Sequence, residues 1–429
     1  MARRFLRSLF SSRKDELGAL AEALLSERGE ASGVALAREL IEAYATTSPE
    51  AQRQFLVLLA QRFGPEQKKI DAAIRKYVAE PGPDLARELH EAAEPRLQEF
   101  LRRMNLAPGG TGVLVGMREL ALRSVRKHPE LGRLDADFRH LFVSWFNRGF
   151  LNLRHIDWST PASILEKIIQ YEAVHEINGW TELRARLDPA DRKCFAFFHP
   201  ALAGEPLIFV EVALTRGIPE AIAPLLEGSR TPIDPQRATT AVFYSISNCQ
   251  AGLQGVSFGN FLIKQVVDEL RRDMPHLKTF VTLSPVPGFA QWLQREGKAA
   301  LTAPELELLP ALEQAGWHRS PGLGKVLQPV LMRAIGTYLL AAKHSSGKPR
   351  DPVARFHLNN GARLERVNWL GDVSDKGIRE AAGFMVNYVY DLDDIEKNHE
   401  NLANLGVVAA SRQVRKLLRT KPPAVQAKT

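Results

Sequence analysis

The chain has 429 residues, 45% apolar and 25% charged, with 57 Lys and Arg against 49 Asp and Glu for a net charge of +8. That composition excludes a disordered chain, and the length exceeds one ordinary core, so two domains are expected. The positive excess sits at the ends: Arg3, Arg4, Arg7, Arg13 and Lys14 precede the first acid, and Arg412, Arg415, Lys416, Arg419, Lys421 and Lys428 lie in a last segment without acids.

Those eleven cations exceed the whole excess, so the body between them is slightly acidic and offers no basic groove; nucleic acid is not an expected partner. No apolar run reaches the ~18 residues that span a bilayer, so no membrane is expected either. Cys194 and Cys249 cannot make a disulfide framework, and no Cys/His spacing suggests a metal, which points to a reducing compartment.

In chain order, residues 1–14 (MARRFLRSLFSSRK) form a basic tail with the amphipathic character of a transit peptide. The high Ala, Arg, Leu and Pro content reads as bacterial, where such an end is a charged start; cytoplasm is the expectation. Residues 15–155 read as almost wholly helical. Leu17, Leu20, Ala21, Leu24 and Leu25 keep helical spacing, as do Phe55, Leu56, Leu58, Leu59 and Phe63. Breaks are expected at Gly33, Ser48-Pro49, Gly64-Pro65, Pro81-Gly82-Pro83 and Pro108-Gly109-Gly110, which makes this region a helical bundle with its charges on solvent faces.

Past Trp158 the texture changes. Thr160-Pro161 is a helix start, and strand-like runs appear at residues 194–198, 207–214, 241–247, 278–283, 362–369 and 383–392. Helices are expected over residues 218–226 and 326–343. Residues 156–420 therefore read as a mixed α/β domain around one twisted sheet, followed by a tail at 421–429.

The most informative stretch lies between two of these strands. An apolar strand at 241–247 enters a glycine-bearing turn, Gly252-Leu-Gln-Gly255-Val-Ser-Phe-Gly259. That turn opens a helix with Phe258, Phe261, Leu262, Ile263, Val266, Val267 and Leu270 at helical spacing. A strand at 278–283 then delivers Ser284 into a Pro-Val-Pro-Gly turn. The connection is long enough to cross over, so the two strands should be parallel. Glycines let a backbone approach a ligand, and the first amides of a helix suit phosphate oxygens; the candidate phosphate residues are Gln254, Gly255, Val256, Ser257, Phe258, Gly259 and Asn260. A tight turn with no ligand remains the alternative.

The wording YSISNCQAGLQGVSFGNFLIKQVVDEL followed by LSPVPGFAQWL, together with GEPLIFVEVALTRGI (204–218) and ARFHLNNGARLERVNWLGDVSDKGIREAAGFMVNYVY (354–390), closely resembles the malonyl-CoA decarboxylase family. The resemblance runs in order over residues 157–391. It implies a catalytic domain with the GNAT acyltransferase fold and a pantetheine arm lodged between splayed strands, here 241–247 and 278–283. It also implies a helical domain that helps build a homo-oligomer, and malonyl-CoA and acetyl-CoA as ligands. Acyltransferases of that fold favour Gln/Arg-x-x-Gly-x-Gly/Ala, whereas this chain has Ser257 at the central glycine.

The chemistry follows from the substrate the resemblance implies. Its carboxylate lies β to a thioester carbonyl, so loss of carbon dioxide leaves an enolate; no metal or organic cofactor is required, because the thioester is the electron sink. By resemblance the catalytic pair is Ser284, as proton acceptor or hydrogen-bond donor to the malonyl group, and His357, as proton donor. An imidazole titrating near neutral pH suits that role. Tyr390 matches a tyrosine lining the family's site and is expected to orient His357 or the thioester. His357 and Ser284 are also expected to touch the substrate. His199 and Cys249 are read as structural. A GNAT-type acyltransferase using the same CoA loop, or a non-catalytic malonyl-CoA sensor, are the alternatives.

Overall fold

The computed structural model describes residues 13–26, 29–256 and 262–418. By internal packing the chain divides into two compact units. One comprises residues 1–152, 198–207 and 250–258; the other comprises residues 153–197, 208–249 and 259–429.

The first unit is helical. Among its described residues the helices are Arg13–Leu24, Glu30–Ala45, Pro49–Arg62, Gln67–Ala79, Pro83–Ala93, Arg96–Asn105, Gly110–Ser124 and Leu131–Trp145. The boundaries follow the turn chemistry: Ser48 accepts a hydrogen bond from the Ala51 amide with Pro49 in the first turn, and Pro83 opens its helix where a missing N–H costs nothing. Gly33 does not break the chain as expected. It lies inside Glu30–Ala45, and Gly29 is the residue preceding that helix. A lone glycine weakens a helix by only about 1 kcal/mol, which the buried Ala37 and Leu40 offset. Edge-on Phe55, Phe63 and Phe100 rings fill the middle of the unit.

Apart from a few end residues of its first three strands, the second unit holds a mixed sheet of strands β1 (Asn152–Ile156), β2 (Arg192–Phe198), β3 (Pro206–Thr215), β4 (Thr240–Asn248), β5 (Thr279–Thr282), β6 (Ser284–Pro285), β7 (Arg363–Asn368) and β8 (Met385–Val389). Their order is β1-β2-β3-β4-β5-β8-β6, with β7 also paired to β8. Strand β1 falls where continued helix was expected; five residues with one buried side chain carry too little periodicity to announce a strand. The expected helix over residues 218–226 shrinks to Ala223–Leu226, because Pro219 and the loop before it break the pattern. Pro161 precedes helix Ala162–Tyr171, while the Thr160 hydroxyl accepts from the Asp157 amide instead of capping that helix.

Strands β4 and β5 are parallel, joined through helix Leu262–Asp273, whose Leu262, Ile263, Val266, Val267 and Leu270 are buried. Their pairing runs only from Thr240 opposite Thr279 to Phe243 opposite Thr282. There β4 carries a bulge: against β3, Glu211 pairs with Ser245 and Val212 with Phe243, so Tyr244 is the extra residue. A bulge bends its strand and ends regular pairing. Beyond Phe243, residues Tyr244 to Asn248 of β4 continue without β5, so the two strands part there.

Candidate active site

Strand β5 stops at Thr282, and β6 resumes at Ser284 in the same register against β8: Val281 faces Val389 and Ser284 faces Val386. Thr282 is tied to β8 by two other bonds, Asn387 Nδ2 to its carbonyl at 2.9 Å and the Tyr388 amide to its hydroxyl at 3.2 Å. This anchoring fixes the strand end that presents Ser284.

His357 lies in the last turn of helix Pro352–Asn359. That helix is capped by Asp351, whose carboxylate accepts from the Ala354 amide at 2.7 Å, and past its C-cap Asn360 the chain turns at Gly361 with φ +78°. A Cβ at Gly361 would sit 2.2 Å from the Ile395 carbonyl oxygen, so only glycine closes this turn.

The fold brings the three expected residues into one hydrogen-bonded row. His357 Nε2 is 3.0 Å from Ser284 Oγ, and His357 Nδ1 is 2.8 Å from Tyr390 Oη. Ser284 Oγ in turn donates to Thr282 Oγ1 at 2.8 Å. With its proton used there, Ser284 accepts from the ring, so Nε2 carries hydrogen and Nδ1 accepts from the Tyr390 hydroxyl. The imidazole also stacks on the Tyr388 ring, with centroids 4.7 Å apart.

All three side chains are buried. Burial lowers the His357 pKa to about 3 and raises that of Tyr390. The near-neutral titration expected from a free imidazole is therefore corrected: desolvation holds the ring neutral, with no charge among the described residues offsetting it.

A cavity of about 260 Å³ opens on Ser284 and His357, walled by Phe243, Ile246, Phe356 and Asn248. It lies along the part of β4 beyond the bulge. Mostly apolar walls with a few convergent polar groups are the usual character of a small-molecule site.

Of the expected phosphate residues, Ser257, Phe258, Gly259 and Asn260 lie outside the described residues. Gln254 and Val256 donate their amides within the turn, to Ala251 and Leu253 carbonyls. Those two N–H groups are thus engaged, which narrows the described part of the loop to Gly255, with φ +74°.

Within the helical unit one side chain departs from the expected solvent-facing charges. Arg118 is buried, 1% exposed. Its guanidinium donates to Asp135 at 2.8 Å, to the Gly252 carbonyl at 2.7 Å and to the Gln254 carbonyl at 2.9 Å. A signal existed: Leu114, Arg118 and Ala121 share one helical face, and the other two are buried core.

His199 is structural, as expected. Its Nε2 meets the Trp145 carbonyl at 3.0 Å, and its Nδ1 accepts from the Ala201 amide at 3.1 Å. Cys249 is buried with Sγ 3.8 Å from the Ser247 carbonyl. Among the described residues no three His, Cys, Asp or Glu side chains gather as a metal site, and no helix is long and apolar enough to cross a membrane.

Comparison with known proteins bears on this site. Residues 149–428 match the malonyl-CoA decarboxylase C-terminal domain model and residues 63–146 the N-terminal domain model. The crystal structure of malonyl-CoA decarboxylase from Rhodopseudomonas palustris is 55% identical with a TM-score of 0.91, covering 94% of this chain and 99% of that one. That from Agrobacterium vitis is also 55% identical, with a TM-score of 0.89 over the same shares. Mitochondrial malonyl-CoA decarboxylase of Rattus norvegicus is 34% identical over 432 residues, 92% of this chain and 87% of the rat protein. Matching in both of its domains and along nearly its whole length, the chain belongs to the malonyl-CoA decarboxylase family, a family of carboxy-lyases.

Proposed function

We propose that this chain converts malonyl-CoA and a proton to acetyl-CoA and carbon dioxide, with His357 as proton donor and Ser284 turning its hydroxyl from Thr282 to the malonyl group when substrate binds. The observation that carries the reading is the Tyr390–His357–Ser284–Thr282 row opening on the cavity beside the splayed strand.

The buried neutral imidazole fits a substrate that brings its own charge. A malonyl carboxylate entering the cavity supplies the anion that the pocket lacks, which raises the ring's pKa and draws a proton onto it. Both neighbours of the ring are hydroxyls, which can donate or accept, so His357 can become imidazolium without moving. Breaking the C–C bond releases carbon dioxide and leaves its electron pair in the thioester enolate. His357 then gives its proton to the α-carbon and returns to the neutral state, so one proton is consumed per turnover. The thioester carbonyl takes the electrons, and the reading calls for no metal or organic cofactor. General acid catalysis of this kind contributes roughly a hundred- to ten-thousandfold.

We extend the reading to CoA phosphates at the Gln254–Asn260 turn, to a homo-oligomer supported by the helical unit, and to a cytoplasmic setting. Light scattering reads the assembly and fractionation the setting. The test of the activity is incubation of purified protein with malonyl-CoA, followed by mass spectrometry of acetyl-CoA. Rapid conversion, lost in His357→Ala and Ser284→Ala, is expected. Malonyl-CoA bound but intact would favour an acyltransferase or a sensor.

A further inference from the structure

We propose that Arg118 is a positioning residue for the CoA-binding turn: it locks the Gln254–Gly255 peptide so that the Gly255 N–H faces the ligand. This inference rests on the phosphate reading of that turn and deepens it.

The argument starts from peptide planarity. In a trans peptide the C=O of one residue and the N–H of the next point in opposite directions. Arg118 holds the Gln254 carbonyl at 2.9 Å, so the Gly255 N–H is aimed away from the guanidinium. The neighbouring amides of Gln254 and Val256 are bonded inside the turn. Among the described residues of the run, Gly255 thus supplies the amide whose direction is open to a ligand.

A glycine with φ +74° is the residue type at which a peptide plane rotates at least steric cost. Rotation would turn the Gln254 carbonyl oxygen outward, toward where an anion should bind, and repel it. Arg118 opposes that rotation with a charge-assisted bond, and its second bond, to the Gly252 carbonyl at 2.7 Å, holds the start of the turn.

Two further features make the clamp rigid. Asp135 fixes the guanidinium at 2.8 Å. Gly252 packs so closely on helix Gly110–Ser124 that a Cβ there would lie 2.0 Å from the Val115 carbonyl oxygen. Lysine, a single point donor, cannot reproduce three bonds from one planar fork.

The test compares two substrates in full-length protein. Malonyl-CoA carries the nucleotide phosphates and malonyl-pantetheine does not, so the ratio of their kcat/KM values reports phosphate recognition. Arg118→Lys and Arg118→Met should each cut that ratio by about tenfold or more, mainly through KM for malonyl-CoA. A fall shared equally by both substrates would mean that Arg118 is merely structural and would overturn the proposal. So would an unchanged ratio. If the wild-type protein itself does not distinguish the two substrates, the phosphate reading of the turn fails instead. Should Arg118→Met not fold, Asp135→Asn loosens the same guanidinium from a partly exposed position, and its ratio is read in the same way.

Discussion

His357 Nε2 and Ser284 Oγ, 73 residues apart in the chain, meet at 3.0 Å in a buried contact. Their meeting depends on two rigid presentations. Ser284 sits at a strand interruption pinned to β8, and His357 sits in the last turn of a helix capped at Asp351. Four expectations follow from this geometry.

Tyr390→Phe removes the hydroxyl at His357 Nδ1 while keeping the ring. The imidazole then loses the partner that selects its tautomer. Turnover should fall by about ten- to a hundredfold with little change in KM, less than the hundredfold or more expected for His357→Ala. Steady-state kinetics on both variants checks the order; equal losses would show that Tyr390 does more than orient the ring.

Thr282→Val keeps shape but deletes the acceptor of both Ser284 Oγ and the Tyr388 amide. The buried Tyr388 N–H is left without its partner, at a cost of about 1–3 kcal/mol. A matching drop in the urea midpoint is expected, together with slower turnover as the Ser284 hydroxyl swings free. A variant as stable and active as wild type would show that Thr282 is not needed to hold the serine.

The buried imidazole links stability to pH. The folded-state pKa of His357 is about 3, below the ordinary 6.5, so between these values the unfolded chain binds more protons than the native one. Stability from this group is therefore full above pH 6.5 and is lost as pH falls toward 3, by at most about 1.4 kcal/mol per pH unit. Asp351 acts oppositely: burial raises its pKa to about 6, so its contribution fades as pH rises from 3.8 through 6. Comparing urea midpoints of wild type and His357→Gln from pH 4 to 7 isolates the histidine. The variant should lose less stability on acidification, and parallel curves would refute a neutral His357.

Gly361→Ala should destabilise the end of the catalytic helix. The new Cβ meets the Ile395 carbonyl at 2.2 Å and φ is +78°, so the turn must open. A loss of about 1–3 kcal/mol is expected. Turnover should fall with it, because His357 is four residues away. Thermal denaturation and kinetics on the same sample check both parts.

Much of this architecture was legible without coordinates. Helical spacing and turn chemistry act over a few residues, so Ser48-Pro49, Asp351-Pro352, the strands at 241–247 and 278–283 and the helix between them could be read directly. The order of the long motifs shared with the family pointed to Ser284, His357 and Tyr390. What local pattern missed was weakly periodic or overridden by packing: the short β1, the intact helix through Gly33 and the shortened helix before Leu226.

The sequence by itself therefore determined the elements, their order and the chemical groups available to the site. Tertiary structure alone decided their state. The bulge at Tyr244 arises only against β3, and it sets where β4 leaves β5. The neutrality of His357 comes from enclosure by elements distant in the chain, since a pKa depends on what surrounds a group rather than on its neighbours in sequence. Likewise, Arg118 is bonded to carbonyls more than 130 residues away, a long-range pairing for which no local periodicity carries the partner's identity.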